Sequence, residues 1–157
     1  MAIIDNELIF TKTTSGGSAC GFTPIAVSAG ASRSVSIDSG FQKIIDLGAD
    51  GDALGGHELT FTVVGNGAAV TSAPTLKATW KTCPNSSFAD SNTKVIAETP
   101  AVPIVANGGV MYRMKIMDNV KRFNKVDLAV NVVSGGAVAS STAGVAPGVM
   151  VFLTKEQ

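Results

Sequence analysis

The chain has 157 residues and is formally neutral, with 12 basic and 12 acidic side chains; 45% of it is hydrophobic and only 15% charged. That length suits one domain, 1–157, with enough core to fold without a metal or a disulfide. The charge balance excludes the basic stripe of an electrostatic nucleic-acid binder and the high net charge of a disordered chain. Average proteins carry about 25% charged residues, so this surface is poor in charge, as expected of a chain rich in small apolar filler such as Ala and Gly, of one that buries further area against partners, or of both.

In chain order, Met1-Ala2-Ile3-Ile4-Asp5 carries neither a positive n-region nor a long apolar core, so no export signal is expected. No run approaches the ~18 apolar residues of a membrane span. A strand is expected over Glu7–Lys12. Residues 13–32 are rich in Ser, Thr, Gly and Ala and weakly patterned. They suit a loop, or an extended arm ordered against a neighbouring molecule with Phe22 and Ile25 as anchors. Further strands are expected at Ser34–Ile37 and Gln42–Leu47. Cys20 and Cys83 form no CxxC motif and are expected as free thiols.

Residues 44–64 join an apolar strand, an acidic glycine-rich loop and an alternating strand with Leu59, Phe61 and Val63 on one face. Asp46, Asp50, Asp52, His57 and Glu58 crowd this block, and clustered oxygens can hold calcium. The loop pattern fails, because Leu54 occupies the third ligand position. A turn is expected, with a structural cation at Asp50 and Asp52 as the alternative. His57 is the single histidine, and no Gly-x-Ser-x-Gly elbow accompanies it, so it is read as a loop residue rather than a catalytic base. Gly65-Asn66-Gly67-Ala68-Ala69-Val70 resembles a dinucleotide fingerprint but has Val70 for the third glycine and no following helix; Asn-Gly is a hairpin signal, and the stretch is read as a turn.

Period-two alternation then recurs. Leu76, Ala78 and Trp80 share a face, which makes Trp80 a core residue. Val110, Tyr112, Met114 and Ile116 share another, as do Val126, Leu128, Val130 and Val132. Strands are also expected at Lys94–Glu98 and Val149–Thr154. No segment shows helical periodicity beyond one turn at Asp118–Asn124. Arg113, Lys115, Lys121, Arg122 and Lys125 form the local basic cluster, read as a solvated hairpin tip or as contact with an acidic protein surface. Residues 134–148 form a second small-residue segment. Many short strands separated by Gly, Pro and Asn predict an all-β, antiparallel β-sandwich with long Gly/Ser/Ala-rich loops.

One order of motifs spans most of the chain: Ile3-Ile4-Asp5-Asn6-Glu7-Leu8, a small-residue segment, Ile45-Asp46-Leu47-Gly48, a Gly/Asp loop, Leu59–Val64, Val126-Asp127-Leu128-Ala129-Val130-Asn131-Val132, a Gly/Ala/Ser loop and a terminal strand Gly148–Leu153. It resembles the small capsid cement (decoration) proteins of tailed bacteriophages, in particular the family first seen on a short-tailed Bordetella phage. This chain is longer, mainly through Thr13–Arg33 and Ser134–Pro147.

The resemblance implies a jelly-roll-like sandwich on the outer surface of an icosahedral virion, clamping major capsid subunits as a dimer or trimer. It implies no catalytic residues, cofactor, nucleic acid or membrane. Phe22, Ile25, Arg113, Lys115, Lys121 and Arg122 are the candidate capsid or subunit contacts. Two competing readings are a carbohydrate-binding or fibre-associated module of a virion, which would need exposed aromatics, and an enzyme using Asp46, Asp50, Asp52 and His57.

Overall fold

A computed structural model describes residues 8–48, 59–66, 68–89, 92–104, 109–116, 120–140 and 147–155. Among these are twelve strands: β1 Thr23–Pro24, β2 Arg33–Ser36, β3 Ile45–Asp46, β4 Leu59–Asn66, β5 Ala68–Thr71, β6 Thr75–Cys83, β7 Lys94–Glu98, β8 Val102–Pro103, β9 Gly109–Ile116, β10 Phe123–Val132, β11 Ala137–Ser140 and β12 Gly148–Lys155. One sheet runs β1-β12-β4-β9. The second runs β2-β10-β6-β7, with β3 also on β10 and β8 also on β6. Every strand pairing is antiparallel. The fold is the all-β sandwich that the alternation predicts.

The core lies between the sheets. Inward residues of β10, and of β6 as far as Thr82, alternate with outward ones, because a strand with one face on a core writes a period of two into its sequence. Trp80 is fully buried. Its ring stacks on Phe61 at 5.8 Å between centroids and meets Phe10 at 6.0 Å. Phe10 and Phe61 meet edge-on at 6.5 Å. Three aromatic rings from three distant segments thus fill the centre, and such pairs each add about 0.5–1.5 kcal/mol beyond their area burial.

Each sheet has split edges. On β12, the outer neighbour is β1 at Val149 and Gly148, then Ile9 at Phe152. The Thr11 hydroxyl lies between them, accepting the Val151 N–H at 3.2 Å and donating to the Gly21 carbonyl at 2.7 Å. On β6, β7 and β8 leave a break at Ala78. Thr99 spans it, its N–H donating to the Ala78 carbonyl at 2.9 Å and its hydroxyl accepting the Ala78 N–H at 3.0 Å. Buried backbone groups need partners, and here buried threonines supply them where strand pairing stops. On β10, β2 covers residues 129–132 and β3 covers 123–124, so neither strand opposes Val126.

Several local expectations change. Of the strand expected over Glu7–Lys12, Glu7 lies outside the described residues, and residues 8–12 form no continuous ladder: Ile9 pairs Phe152, Thr11 pairs Gln42 and Lys12 pairs Cys20, since the segment changes neighbour at nearly every residue. Of Gln42–Leu47 only Ile45–Asp46 is a strand. Asn66 ends no hairpin, because β4 pairs β12 and β9 while β5 pairs β11. In β9 the register shifts between Val63 and Val64 of its partner. An extra residue in one strand reverses its phase, so Val110 is 58% exposed rather than in the core, while Met111 packs against it. Cys20 and Cys83 are free thiols.

Candidate interaction surface

The segment 13–32, expected as a loose arm, is fastened to the sandwich at several points. The Gly21 N–H donates to the Thr11 carbonyl and that of Ile25 to Pro147, while Thr13 to Ala19 closes a bond within the segment itself. The Thr23 hydroxyl donates to the Lys12 carbonyl at 2.6 Å. Thr23, Ile25 and Val27 are buried while Pro24 and Ala26 are exposed, so this stretch carries the period-two signature within its weak overall pattern. Ile25 is 1% exposed and belongs to the core cluster. A side chain so placed offers nothing to a partner, and Ile25 is removed from the contact set. Phe22 is half-buried. A Cβ at Gly148 would lie 3.0 Å from the Phe22 Cβ and 3.2 Å from the Thr23 carbonyl oxygen, so glycine there lets β1 approach β12 closely.

The basic cluster does not form one hairpin tip. Arg113 and Lys115 lie on β9, the last strand of the first sheet, while Lys121 and Arg122 lead into β10 of the second. Lys125 lies on β10 as well, so the five charges are divided between the two sheets. Arg113 and Lys115 are exposed and stand opposite Thr62 and Thr60 of β4. Charges on a terminal strand blunt unwanted strand addition. Phe22 adjoins β1 at the opposite edge of that sheet, so the remaining candidates form no single patch.

Lys121 and Arg122 are held from beneath by a polar network. Asn124 is fully buried. Its Oδ1 accepts the Trp80 Nε1–H at 3.0 Å, and its Nδ2 donates to the Lys121 carbonyl at 2.8 Å. The Lys121 N–H donates to the Thr82 hydroxyl at 2.7 Å. Arg122 then grips Asp46 with two bonds, Nε to Oδ1 at 2.7 Å and Nη2 to Oδ2 at 2.8 Å. Its guanidinium carbon also sits 4.9 Å from the Phe123 ring centre. The Arg122 bonds, helped by the Gly48 N–H, push the Asp46 carboxyl down to about 2. Asp46 is therefore a structural anchor of β3 on β10. Asp50, Asp52, His57 and Glu58 lie outside the described residues, and among the described residues no three His, Cys, Asp or Glu side chains are grouped to hold an ion. Among the described residues no helix is long and apolar enough to cross a membrane.

The outer face of the second sheet carries features that sequence reasoning missed. Lys77 pairs with Glu98 at 2.8 Å, Lys81 with Asp127 at 2.6 Å and Lys125 with Asp127 at 3.7 Å. Lys125 also lies 5.0 Å from the Phe88 ring centre. Beside these rows, a groove of about 460 Å³ runs between β10 and the segment Ser36–Gln42. Its wall is set by a 3-10 turn, Ser39–Phe41, capped by Asp38. The Asp38 carboxylate accepts the Gly40 N–H at 2.9 Å and the Ser15 hydroxyl at 3.0 Å. Those bonds, Gly40 first, hold its carboxyl below the usual range. Asp-Ser-Gly at 38–40 was the available signal for this cap, and Asn124 in the inward phase of β10 was the signal for the buried network.

No protein-family model matches this chain, and no curated protein matches it.

Proposed function

We propose that this chain is a structural capsid cement protein, which binds the outside of an icosahedral phage head and stabilises contacts between major capsid subunits. The observation that carries the reading is the motif order set out above, now accompanied by an all-β sandwich. Its most distinctive element, Ile45-Asp46-Leu47-Gly48, serves as a joint: Asp46 takes the Gly48 N–H at 2.8 Å and both arms of the Arg122 fork. A stapling protein needs such a stiff frame, since a preordered surface loses little entropy on docking.

The mechanism is linkage. A protein that binds only the expanded shell stabilises that state by mass action. Specific interfaces bury about 1,200–2,000 Å² in total, and repetition over a lattice adds avidity when a dimer or trimer engages several sites. Arg113, Lys115 and the exposed Val110 on β9 are the side chains assigned to capsid contact, with Phe22 at the far edge. The protein acts by binding, not catalysis, on the outer surface of the virion.

The test is co-sedimentation with expanded heads lacking the protein. Saturable binding, weakened in an Arg113→Glu/Lys115→Glu variant, is expected. A protein that stays in the supernatant across the range of salt concentrations overturns the proposal.

A further inference from the structure

We propose that the groove between β10 and Ser36–Gln42 is a binding site for a neutral polyhydroxylated ligand, a segment of glycan. Its volume, about 460 Å³, lies within the ~300–1,000 Å³ of small-ligand sites. Its lining is mixed: Asp38, Gln42, Lys77, Thr79 and Asp127 supply polar groups, and the half-buried Ile37 and Ala129 supply a small apolar surface. No aromatic ring lines the groove, so the stacking platform expected of a dedicated carbohydrate-binding module is absent, and a sugar would be held through the hydroxyls at its rim, with its C–H groups against the small apolar surface.

The charges argue against an ionic ligand. Lys77 is held by Glu98, and Asp127 by Lys81 and Lys125. Asp38, Asp127 and Glu98 balance Lys77, Lys81 and Lys125, so an incoming ion gains little net field and must compete with an existing pair. What remains is directional hydrogen bonding from groups already held in place. Each carboxylate has about four lone-pair sites, and Asp38 uses two of its own on Ser15 and Gly40. Each ammonium has three donors. The Gln42 carboxamide can donate and accept at once. Groups ordered before binding lose less entropy when the ligand arrives. The exposed Ser36, Asp38 and Ser39 form an open rim, so a chain can lie across the groove.

This site is independent of the capsid reading, and shell co-sedimentation can fail while glycan binding holds. The experiment is amide-shift mapping of the labelled full chain with maltohexaose, cellohexaose and tetra-N-acetylchitotetraose, alongside a triarginine peptide. At least one oligosaccharide is expected to give saturable shifts clustered at Ser36–Gln42, Lys77, Thr79 and Asp127–Ala129. Gln42→Ala should weaken binding roughly tenfold, the loss of about one good hydrogen bond. Ala129→Arg, which places a long side chain in the groove, should abolish it. Both variants are checked for native dispersion of the remaining amides. The proposal is overturned if no oligosaccharide shifts the groove, if the shifts survive both variants, or if only the triarginine peptide produces them.

Discussion

Arg122 and Asp46 are 76 residues apart and meet through two parallel bonds of 2.7 and 2.8 Å. The fork joins β3 to the first residues of β10, where Phe123 pairs Asp46 and Asn124 pairs Ile45. One acid of the carboxylate-rich block is thereby committed to holding the sandwich together.

This pair makes stability depend on acid. The Asp46 carboxyl lies at about 2 in the folded chain against 3.8 for its ordinary value. Its contribution is present above 3.8 and is lost as pH falls toward about 2, because over that range the unfolded chain binds a proton at this carboxyl that the folded chain does not. Asp38 and Glu98 are lowered as well and steepen the same limb. Urea midpoints measured down this range should fall less steeply for Asp46→Asn than for the parent. Identical slopes would show that the pair does not act in solution.

Asn124→Leu should cost about 2–3 kcal/mol. It leaves the Trp80 indole N–H and the Lys121 carbonyl without their Asn124 partner, and the penalty of unsatisfied buried groups exceeds the net worth of the bonds. Trp80 is the single tryptophan, so its fluorescence reports both unfolding and the polarity of its site. An unchanged midpoint would show that solvent replaces the amide.

Thr11→Val should destabilise by about 1–2 kcal/mol, since the Val151 N–H loses its acceptor in a buried position. Thr11→Ser retains the oxygen and should keep most of the stability. Hydrogen exchange adds a local readout: the Val151 amide should exchange faster in the valine variant alone.

Thr62→Val should act in the opposite direction. Among the described residues, the Thr62 hydroxyl is the buried side-chain oxygen with no hydrogen-bond partner, and Thr62 is 1% exposed. Valine has the same shape and an equal liking for strands, so removing the hydroxyl should raise stability by about 1 kcal/mol. Thermal unfolding of the two proteins checks the sign. A fall would mean that water reaches the hydroxyl.

Sequence alone determined where most long strands run and which of their faces turn inward. Burial of one face imposes a period of two, and that period is kept in β6 and β10, whereas in β4 and β12 residues of the other face, Thr60, Thr62 and Phe152, are buried as well. Trp80 could be placed in the core on its phase with Leu76 and Ala78. In β9 the rule held for Tyr112, Met114 and Ile116 and failed at Val110, where the extra residue near Met111 comes from pairing with β4 and leaves no local mark. It was overlooked at Thr23, Ile25 and Val27, whose alternation is short and set among small residues.

Tertiary structure alone decided the joints. The threonines at positions 11 and 99 look like ordinary β-branched residues, yet each spans a break in a sheet edge. Arg122 belongs to a basic cluster in the sequence but to Asp46 in the fold. The groove exists only because Asp38 and the turn after it stand beside β10. Periodicity is a local consequence of facing a core, whereas each joint depends on which distant segment pairing brings within hydrogen-bond reach.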